Sequence, residues 1–260
     1  MNAALARIGL GIPRLMRSPR RFLRLVWSRL LPVRAILKDP LAYHSVGNWT
    51  FGKLPRVDIT RVFPTIDLAE VVLLRALGAN AETSLTVQEL AVLCAIVRFA
   101  KAKHILEVGT YDGRTTLNLA ANASAGARVT TIDLPVEWNH QLALEVPRHL
   151  INATAIPEAM LAYRDTPHAG RIRQVYADSA ALDWRSLGVP FDLVFLDGCH
   201  YYEYAKSDTN NALTSLRSGG FLIWHDYGMI EDVSRVVDET AARMTVQAIR
   251  STSLAVGFAD

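Results

Sequence analysis

From residue 104 to the end of the chain, short apolar segments alternate with stretches of helical periodicity. This alternation is typical of a parallel sheet that helices cover on both faces. We place strands at about 104–109, 128–133, 172–177, 191–196 and 220–225, and helices at about 114–122, 140–149, 203–216 and 230–243. The final residues, TVQAIRSTSLAVGFAD, predict two further strands that form a hairpin around Ser251 and Thr252. The sequence therefore predicts an α/β fold with a doubly wound, seven-stranded sheet, mostly parallel, with an antiparallel C-terminal hairpin strand.

The whole chain is interpreted as three regions. These are a basic amphipathic arm over 1–40, an irregular or helical lid or connecting segment over 41–84, and a sheet-containing domain over 85–260. Thr86-Val-Gln-Glu89 is a capping box, and it predicts a helix that continues to Ala100. The stretch 135–171 is long for a connection between strands, so we expect an additional helix within it.

Charge is distributed unevenly between the arm and the remainder of the chain. Residues 1–38 contain eight arginines and Lys38 but no acidic residue, which gives a formal charge of +9. The remaining residues carry 19 basic and 25 acidic side chains, so this part is mildly acidic and nucleic-acid binding is not expected. The arm either packs on the body or on a second subunit of a homo-oligomer, or it lies on an anionic membrane surface.

Several classes of protein are excluded by composition. Two cysteines are too few for a disulfide framework, and they favour a reducing compartment. No apolar run approaches the roughly 20 residues that span a bilayer, and the arm lacks the apolar core and cleavage site of a signal peptide. We expect a cytoplasmic protein, with peripheral contact at the inner membrane face as the alternative that the arm leaves open.

The segment ILEVGTYDGRTTLNLA at 105–120 carries the strongest local signal for a ligand site. A buried strand ends at Gly109, and a helix begins after Gly113, which is where ligands bind in open α/β sheets. The glycines do not follow the G-x-G-x-x-G pattern, which disfavours an NAD enzyme. Asp133 and Asp178 follow the next two strands and suit ribose hydroxyls and an adenine amino group, although each could instead cap a helix.

Five motifs in order, ILEVGTYDG, Asp133, Asp178, FDLVFLDGCHYYEYAKSD and LRSGGFLIWHDYG, resemble those of class I S-adenosylmethionine-dependent methyltransferases, which have a Rossmann-like fold. The resemblance is greatest to the small-molecule O-methyltransferase branch that includes the catechol, caffeoyl-CoA and macrocin enzymes. It covers about residues 85–260. It implies S-adenosylmethionine as cofactor, bound by Glu107, Gly109, Thr110, Tyr111, Gly113, Thr115, Asp133, Leu134, Asp178, Ser179 and Asp197.

The resemblance also implies a metal site and a catalytic base. Asp197, His225 and Asp226 correspond to the family's metal ligands, and His200 corresponds to the base that removes the hydroxyl proton of the acceptor. The metal-dependent relatives usually have Asp-Asp or Asp-Asn where this chain has His225-Asp226, and an imidazole ligand suits Mn²⁺ or another transition ion better than Mg²⁺. His200 could alternatively be a polar loop residue that caps the following helix.

The function expected from the resemblance is O-methylation of a hydroxyl on a small molecule, with a sugar, glycan or glycolipid as the narrower expectation. Two alternatives stay open. One is a cephalosporin-hydroxylase-like enzyme on the same scaffold, and the other is a non-catalytic methyltransferase-like subunit that binds a partner through its arm. The set of Glu107, Gly109, Asp133 and Asp197 argues against the non-catalytic alternative, because a decayed site would be expected to lose such residues.

Overall fold

The structure is a computed structural model, and it describes residues 51–77, 85–138, 140–146, 156–188 and 190–259. The arm over 1–40 lies outside the described residues. Within the described part of the chain, eight strands form one sheet in the order β1-β7-β8-β6-β5-β2-β3-β4. The strands are Arg56–Val57 (β1), His104–Val108 (β2), Arg128–Asp133 (β3), Ile172–Tyr176 (β4), Phe191–Leu196 (β5), Leu216–Trp224 (β6), Val246–Ile249 (β7) and Ala255–Phe258 (β8).

The described residues contain five α-helices, of which all but the first lie at predicted places. They are Ile59–Val62 (α1), Val87–Phe99 (α2), Arg114–Asn122 (α3), Tyr202–Ser215 (α4) and Glu231–Ala241 (α5). The capping box of α2 is confirmed, because Thr86 Oγ accepts from the Glu89 N–H and the Glu89 carboxylate accepts from the Thr86 N–H. No helix of the described residues is long and apolar enough to cross a membrane.

The doubly wound architecture is confirmed by the strand pairing and by the core. Strands β2 to β6 pair in parallel, and β8 lies antiparallel between β6 and β7 as the hairpin prediction required. Successive residues of β5 alternate between two buried clusters: Leu193 and Phe195 pack in one, and Val194 and Leu196 pack in the other. A strand that is buried on both faces explains the continuous apolar runs in the sequence.

The sheet has one strand more than the sequence predicted, because residues 56–57 pair in parallel with β7. Phe63, which follows α1, is 2% exposed and lies 4.9 Å from the Phe99 ring and 5.6 Å from the Phe221 ring, centroid to centroid. The described part of the connecting segment therefore packs into the main core. A two-residue strand carries too weak a period-2 pattern to be recognised in sequence.

The predicted helix over 140–149 is wrong for its described part, because residues 140–146 form bends and no helix. The backbone N–H of Ala143 donates to Asp178 Oδ2 at 2.7 Å, so a tertiary contact takes a group that a helix would use. The described residues of 135–171 contain only two short 3₁₀ turns, Glu158–Met160 and Ala169–Arg171.

Candidate functional site

The turn that joins β2 to α3 contains three residues with left-handed backbone conformation. Gly109 has φ +97°, and a Cβ there would lie 2.2 Å from the backbone oxygen of Asp197. Gly113 has φ +72° and precedes the first residue of α3. Tyr111, between them, has φ +48°, which is uncommon for a residue other than glycine. The turn therefore lies directly against the residue that follows β5.

Asp133, at the end of β3, holds this turn in place. Its Oδ2 accepts from the N–H of Tyr111 at 2.8 Å, and its Oδ1 accepts from the N–H of Leu134 at 2.7 Å. Burial raises the pKa of Asp133, while the backbone N–H groups of Tyr111, Leu134 and Thr110 oppose that rise. A carboxylate has about four lone-pair positions, so this side chain keeps acceptor capacity for ligand hydroxyls.

Glu107 lies beneath the turn and points into the core. It is fully buried, and its Oε2 accepts from the hydroxyls of Thr116 and Thr131. Thr110 joins the same network by a 2.7 Å contact between its hydroxyl and that of Thr131. Burial raises the pKa of Glu107 to about 8. Of the residues expected at the cofactor, Glu107 and Thr110 therefore face inward, and Thr115 is also buried, in the first turn of α3.

Asp178 accepts hydrogen bonds from three different segments of the chain. Its Oδ1 accepts from the Ala180 N–H at 3.0 Å and from the Tyr204 hydroxyl at 3.0 Å, and its Oδ2 accepts from Ala143. Asp178 is 4% exposed, and its neighbour Ser179 hydrogen-bonds to Asp208. No helix of the described residues begins directly after Asp178, so these contacts do not support the helix-cap alternative, and a role beside the adenine stays a prediction.

Asp197, His225 and Asp226 meet where β5 and β6 end. Backbone hydrogen bonds between neighbouring strands fix two of these residues. The N–H of Asp197 donates to the carbonyl oxygen of Val108, and the N–H of His225 donates to that of Leu196. His225 Nδ1 lies 3.0 Å from Asp197 Oδ1 and 3.3 Å from Asp226 Oδ1. One donor atom from each of the three residues lies within 4.8 Å of the other two, as a shared metal ion would require.

The donor set fits a divalent cation. Neighbouring ligands at about 2.1 Å from an octahedral ion are about 3.0 Å apart, close to the measured separations. Two carboxylates and one imidazole suit Mn²⁺, Fe²⁺ or Zn²⁺. Burial disfavours ionised groups here, but the charges of Asp197, Asp226 and Glu89 outweigh it and raise the pKa of His225 well above its usual value. A cluster that already stabilises a protonated ring among three carboxylates also suits a metal cation.

His200, three residues after Asp197, turns its Nε2 toward the same carboxylates. This atom lies 3.1 Å from Asp226 Oδ2 and 3.5 Å from Asp197 Oδ1, and it is buried without hydrogen-bond geometry to any described residue. The side chain is 41% exposed, so the ring spans from the cluster to the surface. Burial lowers the pKa of His200, but the nearby carboxylates of Asp197 and Asp226 have the larger effect, so the net shift of the pKa is upward.

Glu89 is the member of this cluster that the sequence did not identify as such. Its carboxylate is buried, and its Oε2 lies 3.6 Å from His225 Nε2. Its Oε1 accepts from the backbone N–H of Ser253 at 2.6 Å and from the Ser253 hydroxyl at 2.7 Å. Burial would raise the pKa of Glu89, but His225 and the backbone N–H groups of Ser253 and Thr86 hold it well below its usual range. The sequence showed this residue only as the N3 residue of a capping box.

Comparison with known protein families matches residues 106–227 to a family described as "Methyltransferase domain". Among solved structures, the O-methyltransferase TomG from Streptomyces achromogenes, in complex with SAM, is 18% identical over 68% of this chain and 82% of that chain, with a TM-score of 0.47. The O-methyltransferase from Bacillus cereus, in complex with SAH, is 20% identical over 78% of this chain and 95% of that chain, with a TM-score of 0.45. The Podospora anserina methyltransferase PaMTH1, bound to SAH, is 16% identical over 71% of this chain and 83% of that chain, with a TM-score of 0.49. A search of curated protein sequences found no match.

Proposed function

Because residues 106–227 match the family described as "Methyltransferase domain", we propose that this protein transfers the methyl group of S-adenosylmethionine to a hydroxyl group of a small molecule. The observation that carries the proposal is the position of the histidine and carboxylate cluster beside the glycine turn. Gly109 approaches the backbone of Asp197 so closely that no side chain fits between them. A methyl donor seated on the turn would therefore lie next to groups that can activate an acceptor.

The donor side of the proposal rests on the turn and on Asp133. Gly109 and Gly113 let the turn pack directly against Asp197 and the Tyr163 ring, and both have φ values that a side chain would strain. Asp133 keeps acceptor capacity for the ribose hydroxyls while it fixes Tyr111. Asp178 and Ser179 lie deeper, so we assign them the support of the adenine side of the pocket.

We propose that Asp197, His225 and Asp226 hold a divalent cation. When bound, the cation would lower the pKa of the acceptor hydroxyl and orient it toward the methyl group. Asp197 and Asp226 raise the pKa of His200, so neutralising their charges would lower that pKa and favour an unprotonated ring. The proposed charge balance therefore favours His200 as a base in the loaded site.

His200 would take the proton of the acceptor hydroxyl at Nε2 as the hydroxyl oxygen bonds the methyl carbon, while the carbon–sulfur bond breaks and sulfur keeps its electron pair. The alternative role expected for this residue, a cap of the following helix, lacks support because α4 has no side-chain cap.

The narrower proposal for the acceptor is a sugar, glycan or glycolipid. Its support is the charge of +9 over residues 1–38, which would hold the protein at an anionic membrane surface or against a second subunit. We expect deletion of these residues to reduce binding to vesicles of anionic lipid, or to change the oligomeric state, without changing the affinity for S-adenosylmethionine. Sedimentation with vesicles and sizing chromatography measure the two properties.

The function is tested with methyl-labelled S-adenosylmethionine and a panel of catechols, hydroxylated aromatic compounds and sugars, with S-adenosylhomocysteine measured by mass spectrometry. We expect product only with added acceptor, a loss of about 10²–10⁴-fold in turnover for His200→Ala, and cofactor affinity close to that of the wild type. His168→Ala, outside the cluster, is the matched control. A wild-type protein that gives no heat with S-adenosylmethionine in calorimetry, and no product with any acceptor, would contradict the proposal.

A further inference from the structure

Glu89 and His225 come from distant parts of the chain and meet in the interior beside the proposed cation site. Their side chains are 8% and 11% exposed, and Nε2 of His225 lies 3.6 Å from Oε2 of Glu89. The opposite ring nitrogen, Nδ1, faces Asp197 and Asp226. We propose that Glu89 is a positioning residue, which holds the His225 ring so that Nδ1 binds the cation and Nε2 keeps its hydrogen. This inference rests on the cation in the proposed function.

The first argument concerns the two nitrogens of the ring. An imidazole that binds a cation through one nitrogen carries hydrogen on the other, and that hydrogen needs an acceptor when it is buried. Nε2 of His225 is buried and makes no hydrogen bond with the described residues. The carboxylate of Glu89 is within an ångström of hydrogen-bond distance, so a small shift of the ring would supply the acceptor.

The second argument concerns the rigidity of Glu89 itself. Ser253 donates its backbone N–H and its hydroxyl to Oε1, and Thr86 donates the same two groups to Oε2. If the His225 ring moves to donate to Oε2, it can replace the hydrogen bond from the Thr86 hydroxyl. That hydroxyl would still have a partner, because its oxygen also accepts from the N–H of Glu89. Without the Thr86 hydroxyl, the Thr86 N–H and both groups of Ser253 still anchor the carboxylate at the start of α2 and at the turn before β8, so it offers a fixed reference for the ring.

The third argument concerns charge. A carboxylate behind a metal-bound histidine fixes the ring orientation and raises its strength as a ligand, and removing such a partner typically lowers metal affinity by about 10–100-fold. Glu89 is the third carboxylate around His225, after Asp197 and Asp226, and it is the most buried of the three. An amide at this position would keep the size of the side chain but lose the charge and one acceptor oxygen.

The test compares Glu89→Gln with Thr86→Ala in the full, metal-free chain. Thr86→Ala removes the cap of the same helix but leaves the carboxylate. Titration with Zn²⁺ alone should show affinity about 10–100-fold lower for Glu89→Gln and within a few-fold of wild type for Thr86→Ala. Nitrogen-15 spectra of the Zn²⁺-loaded protein should show His225 bound through Nδ1, with hydrogen on Nε2, in the wild type and in Thr86→Ala, and a mixture in Glu89→Gln.

Glu89→Asp is the second variant, in case the amide prevents folding, and it should give an intermediate affinity. Equal affinity and Nδ1 binding in wild type and Glu89→Gln would overturn the inference, as would an equal loss in Thr86→Ala or binding through Nε2 in the wild type. Methyl transfer is measured separately. A wild type that transfers methyl groups but binds no Zn²⁺ would overturn this inference and support the proposed methyl transfer. A wild type that binds Zn²⁺ as described but transfers no methyl group would support this inference's metal site and contradict the proposed transfer.

Discussion

The buried carboxyl of Glu107 makes the stability of the protein depend on pH, and Glu107→Gln should remove that dependence. Burial raises its pKa to about 8 in the folded protein, whereas an exposed glutamate titrates at about 4.3. Between these two values the folded state keeps a proton that the unfolded state has lost. The contribution of Glu107 to stability is therefore complete below about pH 4 and declines as pH rises toward 8.

The magnitude follows from the linkage between proton binding and folding. One proton held only by the folded state changes the free energy of unfolding by about 1.4 kcal/mol per pH unit, and because the slope is smaller near each of the two pKa values, we expect a loss of about 3–4 kcal/mol between pH 5 and pH 8. Glutamine imitates the protonated acid, and its amide oxygen can accept from the hydroxyls of Thr116 and Thr131. The variant should therefore gain stability relative to the wild type as pH rises.

The assay is urea denaturation of the wild type and Glu107→Gln at several pH values from 5 to 9, with Glu203→Gln on the exposed surface of α4 as the matched control. The difference in unfolding free energy between wild type and Glu107→Gln should grow with pH and level off above about pH 8. The difference for Glu203→Gln should stay constant. Parallel curves for the wild type and Glu107→Gln would refute the reasoning, because they would mean that Glu107 releases its proton at the same pH in both states.

Two further predictions concern packing. Phe63→Ala should lower the free energy of unfolding by about 3–5 kcal/mol in urea denaturation, because its ring packs the connecting segment against the core. A loss below about 1 kcal/mol would mean that this contact does not stabilise the fold. Gly109→Ala should cost more than the roughly 1–2 kcal/mol of left-handed strain and should weaken both S-adenosylmethionine and Zn²⁺ binding in calorimetry, because its Cβ would meet Asp197. Gly126→Ala, with φ +75° and nothing within 4 Å of the added Cβ, is the matched control, and equal effects of the two substitutions would contradict the role of close approach.

The sequence could predict that the histidines and carboxylates of the site lie close together, because their proximity depends only on the order of the strands and helices. Asp197 and His225 each follow a buried strand, and parallel strands end at one edge of a sheet. Once the alternation of strands and helices is recognised, these side chains must meet there. His200 and Asp226 follow within three residues, so they were placed with them. The mostly parallel sheet and its C-terminal hairpin were confirmed for the same reason, since strong periodicity over whole segments determined them.

Contacts between distant segments could not be predicted, because no local pattern encodes which groups a side chain will meet. The helix predicted over residues 140–149 is absent from its described part, where Asp178 accepts a backbone N–H. Glu107 carries the motif expected at a cofactor, yet the hydroxyls of Thr116 and Thr131 hold it in the core. Glu89 had a complete local explanation as part of a capping box, but the fold also places its carboxylate behind His225. Local periodicity thus determined which residues reach the edge of the sheet, whereas burial and hydrogen-bond partners, which depend on tertiary packing, decided where each carboxylate points.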